Sequence, residues 1–264
     1  MANLIIKPAS DGNLILQDEG GDAAVTVSTT GNTTLAGTAN NIGTVTAGNI
    51  GALGKILHNI VIFTSSGTWT KPSGVTAVRV FVTGGGGGGG GHGASNDAGG
   101  CGGSGATAIL YITSGLGSTE TVTIGAAGNG GASGQNDGTA GGTSSFGSHC
   151  SATGGGLGKH GNYGSVKGGL GGTATGSGAL LLGGSDGGHG SDDTFTGNGY
   201  YAAFGTGGAS YWGGGGSGAS YGNNPYAVTA HAGKAYGAGG GGGTENSGAA
   251  AAGMIGIVYI EEYK

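Results

Sequence analysis

From Val75 to Val82 apolar and polar side chains alternate, with Val78, Val80 and Val82 on one parity. That period of two is the mark of a half-buried strand. Just upstream, Val61, Ile62 and Phe63 and then Thr68, Trp69 and Thr70 lead into Lys71, Pro72, Ser73 and Gly74. Pro and Gly stand there where a turn wants them. Apolar runs recur at Ile109, Leu110 and Ile112, at Val122 and Ile124, and at Ile255, Ile257, Val258 and Ile260. The pattern predicts strands within residues 61–83, 107–124 and 254–260, joined in one small sheet. The glycine-rich tracts between them are then long insertions within a single domain, residues 61–264.

Residues 1–60 have a different texture. Leu4, Ile5 and Ile6, then residues 13–17, then residues 24–28, read as short strands divided by Asp11-Gly12 and by Gly20-Gly21. Such dipeptides are turn chemistry, because Gly takes positive φ without steric cost. Strands this short bury little surface alone. The segment is expected to be a β-rich base for attachment and oligomerisation, and a homotrimer is the expected assembly.

Composition sharpens the picture. Glycine supplies 74 of 264 residues and charged residues only 8%, against about 7% and about 25% in an ordinary globular chain. An interior glycine costs a helix roughly 1 kcal/mol relative to Ala, so almost no α-helix is expected. The run Gly84 to Gly91 and the later runs at residues 213–216 and 239–243 suit either a flexible linker or packed polyglycine II helices. Three prolines and no sustained G-X-Y period exclude collagen. Order is the preferred reading, since the tracts begin and end in good strands, contain Tyr, Leu and Phe, and carry few charges to keep them solvated. The expected fold is mostly β with irregular structure: a small β-rich base, then a glycine-rich domain of short strands and packed polyglycine II helices.

The charge of -5 and the lack of a basic run argue against nucleic acid. No apolar stretch approaches the ~20 residues that span a bilayer. Residues 1–8 lack a basic n-region followed by a long apolar h-region, so no Sec signal peptide is expected. Cys101 and Cys150 read as free thiols. G-x-G-x-x-G arises by chance in such a chain, and Gly54-Lys55-Ile56, Gly158-Lys159-His160 and Gly233-Lys234-Ala235 all fail the P-loop rule. Residues 187–192 match the start of a calcium-binding nonapeptide once only. Asp186, Asp192 and Asp193 are weighed as a glycan-cleaving acid cluster, and His149, Cys150, His92 and Cys101 as metal ligands. Solvated loop carboxylates and scattered side chains are the preferred readings, so no catalytic residue, metal or cofactor is assigned.

The stretch from Phe63 through Trp69, Pro72, Gly74 and Val80, running straight into Gly84 to Gly91, resembles the opening of the glycine-rich domain of tailed-phage tail fibres and related adhesins. Residues 121–128 with 141–147, and the closing residues 253–263, fit the same pattern. The resemblance implies a virion protein made in the host cytoplasm, joined to other virion proteins at its N-terminal end. It also implies a distal part that binds a host surface glycan or outer-membrane protein. Tyr200, Tyr201, Phe204, Tyr211, Trp212, Tyr221, Tyr226 and Tyr236 crowd a stretch otherwise made mostly of Gly, Ala, Ser and Asn. That is the composition of antibody-like binding loops, and these eight residues are the candidate receptor contacts. The alternative is a purely structural fibre or virion decoration protein, whose aromatics are buried.

Overall fold

The structure, a computed structural model, describes residues 14–17, 23–27, 33–35, 56–93, 97–162, 166–190, 205–220, 228–244 and 248–264. The chain forms two compact units, Met1–Ala52 and Leu53–Lys264. Within the first, β1 (Leu14–Gln17), β2 (Ala23–Val27) and β3 (Thr33–Leu35) make an antiparallel sheet in that order. The strand expected at Leu4, Ile5 and Ile6 lies outside the described residues.

The second unit opens with β4 (Leu57–Phe63), β5 (Gly67–Thr70) and β6 (Ala77–Thr83), continues through β7 (Thr107–Ile112) and β8 (Thr119–Thr123), and closes with β13 (Ile257–Tyr263). Between β8 and β13 come four three-residue strands: β9 (Ser144–Phe146), β10 (Cys150–Ala152), β11 (Ala174–Gly176) and β12 (Leu180–Leu182). These form two five-stranded antiparallel sheets, β12-β7-β6-β13-β4 and β11-β10-β9-β8-β5, rather than one. The expected single sheet is thereby corrected. The short strands supply most of the second sheet, and three residues are too few for a period to be seen. No helix occurs among the described residues.

Side chains from the two sheets meet in one core. Val78, Val80 and Val82 of β6, Ala108, Leu110 and Ile112 of β7, and Val258 and Ile260 of β13 face Trp69, Val122, Phe146, Cys150 and Ala152. Phe146 is fully buried, with its ring centroid 5.7 Å from that of Trp69. One carboxylate enters this core. Glu262 is buried and accepts the Trp69 indole N–H at 2.7 Å and the Asn59 amide at 3.2 Å. Such charge-assisted bonds are what make a buried carboxylate tolerable.

The glycine tracts are ordered. Every N–H of Gly84 to Gly91 donates sideways to another segment, and successive donors turn through three directions. Gly84, Gly87 and Gly90 bond the carbonyls of Ala106, Gly103 and Gly100; Gly85, Gly88 and Gly91 bond those of Gly142, Thr139 and Asn136; Gly86 and Gly89 bond those of Met254 and Ala251. The partner numbers fall as the donors rise, so these three neighbours run antiparallel. Three parallel neighbours donate in return: Gly155, Gly158 and Gly161 to Gly85, Gly88 and Gly91; Gly128 and Gly131 to Gly86 and Gly89; Gly240 and Gly243 to Gly87 and Gly90. Three residues per turn, no bonds within the segment and six lateral neighbours define a polyglycine II lattice. A side chain has no room inside it. A Cβ on Gly88 would strike the backbone carbonyl of Asn129. Residues 99–106 repeat the scheme, donating to segments 237–243, 153–159 and 185–188.

Candidate functional site

The lattice segments run up and down between two ends. At one end Thr83, Ala106, Thr143, Ala152 and Gly256 adjoin the sheets. At the other, Gly93 bonds Asp97, Ser220 bonds Val228, and Gly248 bonds Thr244, turning the chain back. At a rise of about 3.1 Å per residue, the eight glycines alone separate the ends by about 25 Å.

At the sheet end, Ser210 and Gly213 exchange backbone bonds of 2.9 and 3.3 Å, with Tyr211 and Trp212 at the tip of the turn. This turn lies on the outer face of the β12-β7-β6-β13-β4 sheet. Phe81 points outward there, and its ring centroid is 6.1 Å from Tyr211, 6.2 Å from Trp212 and 5.4 Å from Tyr259. The Trp212 indole N–H donates to Thr83 Oγ1 at 2.9 Å. Trp212 is half-buried, whereas Tyr211 is 50% exposed. Register extends the aromatic cluster into a row across all five strands: Leu180, Ile109, Phe81, Tyr259 and Ile62. The adjacent row is Tyr111, Arg79, Glu261 and Ile60. Arg79 sits 3.9 Å from Glu261 and 5.0 Å from the centroid of Phe81. Tyr263 donates its hydroxyl to Glu261 at 2.7 Å and meets Tyr111 edge-on.

Among the described residues, the far end carries a polar cluster. Asp137 accepts Lys159 Nζ at 2.7 Å and the backbone N–H of His160 at 2.9 Å, and pairs with His160 Nδ1 at 2.7 Å. Partial burial pushes the Asp137 carboxyl up, but these three partners outweigh it and hold the group at about 2. His92 Nε2 accepts the Gly134 N–H at 2.9 Å, so its Nδ1 carries the proton and donates to the Gly93 carbonyl.

Residues 63–263 match the family model described as a glycine-rich domain. The chain belongs to that family. No curated protein matches the chain.

Within the glycine-rich domain the structure describes three of the eight candidate aromatics. Tyr211, Trp212 and Tyr236 are described, and all three stand at the sheet end; Tyr236 adjoins Gly237, whose N–H bonds Ile255. Tyr200, Tyr201, Phe204, Tyr221 and Tyr226 lie outside the described residues. The described residues flanking them, Gly190, Ser220 and Val228, stand at the far end of the lattice, with Gly205 nearby. Sequence reasoning did not single out Phe81, Tyr111, Tyr259 or Tyr263. The signal was present: the outward parity of β6 and β13 holds aromatic rings where polar residues were expected.

The weighed metal ligands do not converge. His92 belongs to the far end, while His149 pairs with Glu120 at 3.1 Å beside the second sheet. Burial raises the Glu120 carboxyl, but the Gly117 N–H and His149 more than offset it and lower the group. Cys101 and Cys150 are free and buried. Burial pushes the Cys150 thiol up to about 11, and raises Cys101 against a smaller opposing pull from the Gly242 N–H. Neither is a ready thiolate. Among the described residues no group of three or more His, Cys, Asp and Glu is placed to hold a metal ion. Asp186 accepts the Gly171 N–H at 2.7 Å; Asp192 and Asp193 lie outside the described residues.

Proposed function

We propose that the chain is a non-enzymatic virion fibre protein that recognises the host-cell surface through loops at the far end of its glycine lattice. In this reading residues 1–60 attach it to other virion proteins and assemble it as a homotrimer. The receptor is a surface glycan or an outer-membrane protein. The observation that carries the reading is the lattice itself. It holds its shape mainly by backbone bonds, and Gly190, Ser220 and Val228, which flank residues 191–204 and 221–227 in sequence, stand at its far end. Those two stretches of sequence hold four of the chain's ten tyrosines, and rigid aromatic anchors among Gly, Ser and Asn suit recognition.

A second reading, a structural fibre with buried aromatics, is favoured for one pair. Trp212 packs on Phe81 and bonds Thr83, so it fastens lattice to sheet. The test is adsorption of purified protein to a panel of host cells. Tyr201→Ala with Tyr221→Ala is expected to abolish binding while Tyr211→Ala preserves it, with circular dichroism unchanged in both. Equal binding by all three proteins would overturn the loop assignment, and no binding by any would favour the structural fibre.

A further inference from the structure

An antiparallel sheet with one face in a core normally turns polar residues outward on the other. The β12-β7-β6-β13-β4 sheet does not. Its inner parity fills the core, and its outer parity carries an unbroken apolar row from Leu180 to Ile62. Ile62 is 56% exposed, Leu180 59%, Tyr111 48% and Ile60 44%. With Tyr211 these five side chains leave on the order of 100 Å² each in water. Half-buried Ile109, Tyr259 and Tyr263 on the same face add to that sum. The total, about 600 Å², stands at the upper limit of the largest patch on a typical monomer. It also approaches the ~800 Å² that each partner contributes to a stable protein interface.

We propose that this face packs on the same face of a second copy of the chain. The charges argue for a copy over a partner of another kind. The face bears one cation and one anion in adjacent strands, Arg79 and Glu261. An interface related by a two-fold axis applies the same patch twice, so residue i meets j and j meets i. A cation beside an anion is self-complementary under that operation: Arg79 of each copy meets Glu261 of the other, and no like charges are forced together. Apart from Thr83 and Thr107, which are buried and bonded to each other, the remainder of the face is mainly aliphatic and aromatic, as in the centre of an oligomer interface. Edge pairing is disfavoured as the main contact, since extending the sheet side by side leaves the apolar row in water. This inference concerns assembly and is independent of the receptor reading.

The experiment is sedimentation equilibrium of the full chain beside Ile62→Lys, Arg79→Glu and the control Leu170→Lys, a residue 71% exposed on the lattice. The wild type and control are expected to share one mass, with Ile62→Lys falling to half of it or less and melting within a few degrees of wild type. Arg79→Glu should weaken association at least tenfold, and adding Glu261→Arg should restore it by exchanging the two charges. The proposal is overturned if wild type and Ile62→Lys have the same mass, whether because both are monomers, because residues 1–52 alone hold the assembly together, or because those residues cover the face.

Discussion

The two halves of the second unit are held together by opposite means. In the β-sandwich the backbone is paired along strands and cohesion comes from side chains, with Phe146, Val80 and Ile260 all fully buried. In the lattice there are few side chains to bury, and cohesion comes from the peptide groups of Gly84 to Gly91 and their six neighbours. The hydrophobic term of about 25 cal/mol per Å² of apolar surface governs the first. The second rests on hydrogen bonds worth about 1 kcal/mol each, set against the entropy of fixing glycine. Cys101 shows side chains buried within the lattice as well. In segment 98–105 the side chains are those of Ala98, Cys101 and Ser104, every third residue, all buried, and Ser104 Oγ bonds the Ala209 carbonyl at 2.9 Å.

The sharpest way to break the contrast is to change one side chain in each half. Gly88→Ala is expected to leave little folded protein, because its Cβ meets the Asn129 backbone and no side chain is there to yield. Parting the segments leaves several peptide groups unsatisfied at about 1–3 kcal/mol each; soluble yield and thermal melting measure it. Phe146→Ala should come next, costing about 3–5 kcal/mol by loss of burial and the cavity left behind, read by denaturant titration.

A smaller effect comes from Asp137. Its folded value of about 2 lies below the unfolded value of about 3.9, so its contribution to stability is present above about pH 4 and is lost as pH falls towards 2. The gap in melting temperature between wild type and Asp137→Asn should therefore be widest at pH 5 and close by pH 2. Smallest of all is Gly214→Ala, where the added Cβ has no neighbour within 4 Å. A change under about 1 kcal/mol, in the stabilising direction, is expected because Ala restricts the unfolded chain. A loss there as large as at Gly88 would show that glycine is required by backbone conformation rather than by close approach.

How much of this could be read beforehand follows the same division. The alternation at Val78, Val80 and Val82 disclosed β6, and the runs at Ile109 and Ile257 disclosed β7 and β13. The short strands stayed hidden because Ser144–Phe146 and Cys150–Ala152 are too brief to show a period. Lattice order was legible in the eight glycines, but its connectivity was not. Gly86 bonds Met254 and Gly87 bonds Gly103, and glycines carry no side-chain pattern that selects one partner over another. For the candidate site, the aromatic residues were visible as a cluster. The place of Tyr211 at the sheet end was not, because it is set by a turn that lands on Phe81, some 130 residues earlier in the chain.

The sideways direction of the lattice bonds has a mechanical consequence. A pull along the axis of Gly84 to Gly91 meets no bond that can open singly, as the rungs of a hairpin do when its ends are peeled apart. It loads the lateral bonds on all six sides together, in shear. A rod built this way transmits tension stiffly and gives way as a block, with a rupture force set by its length.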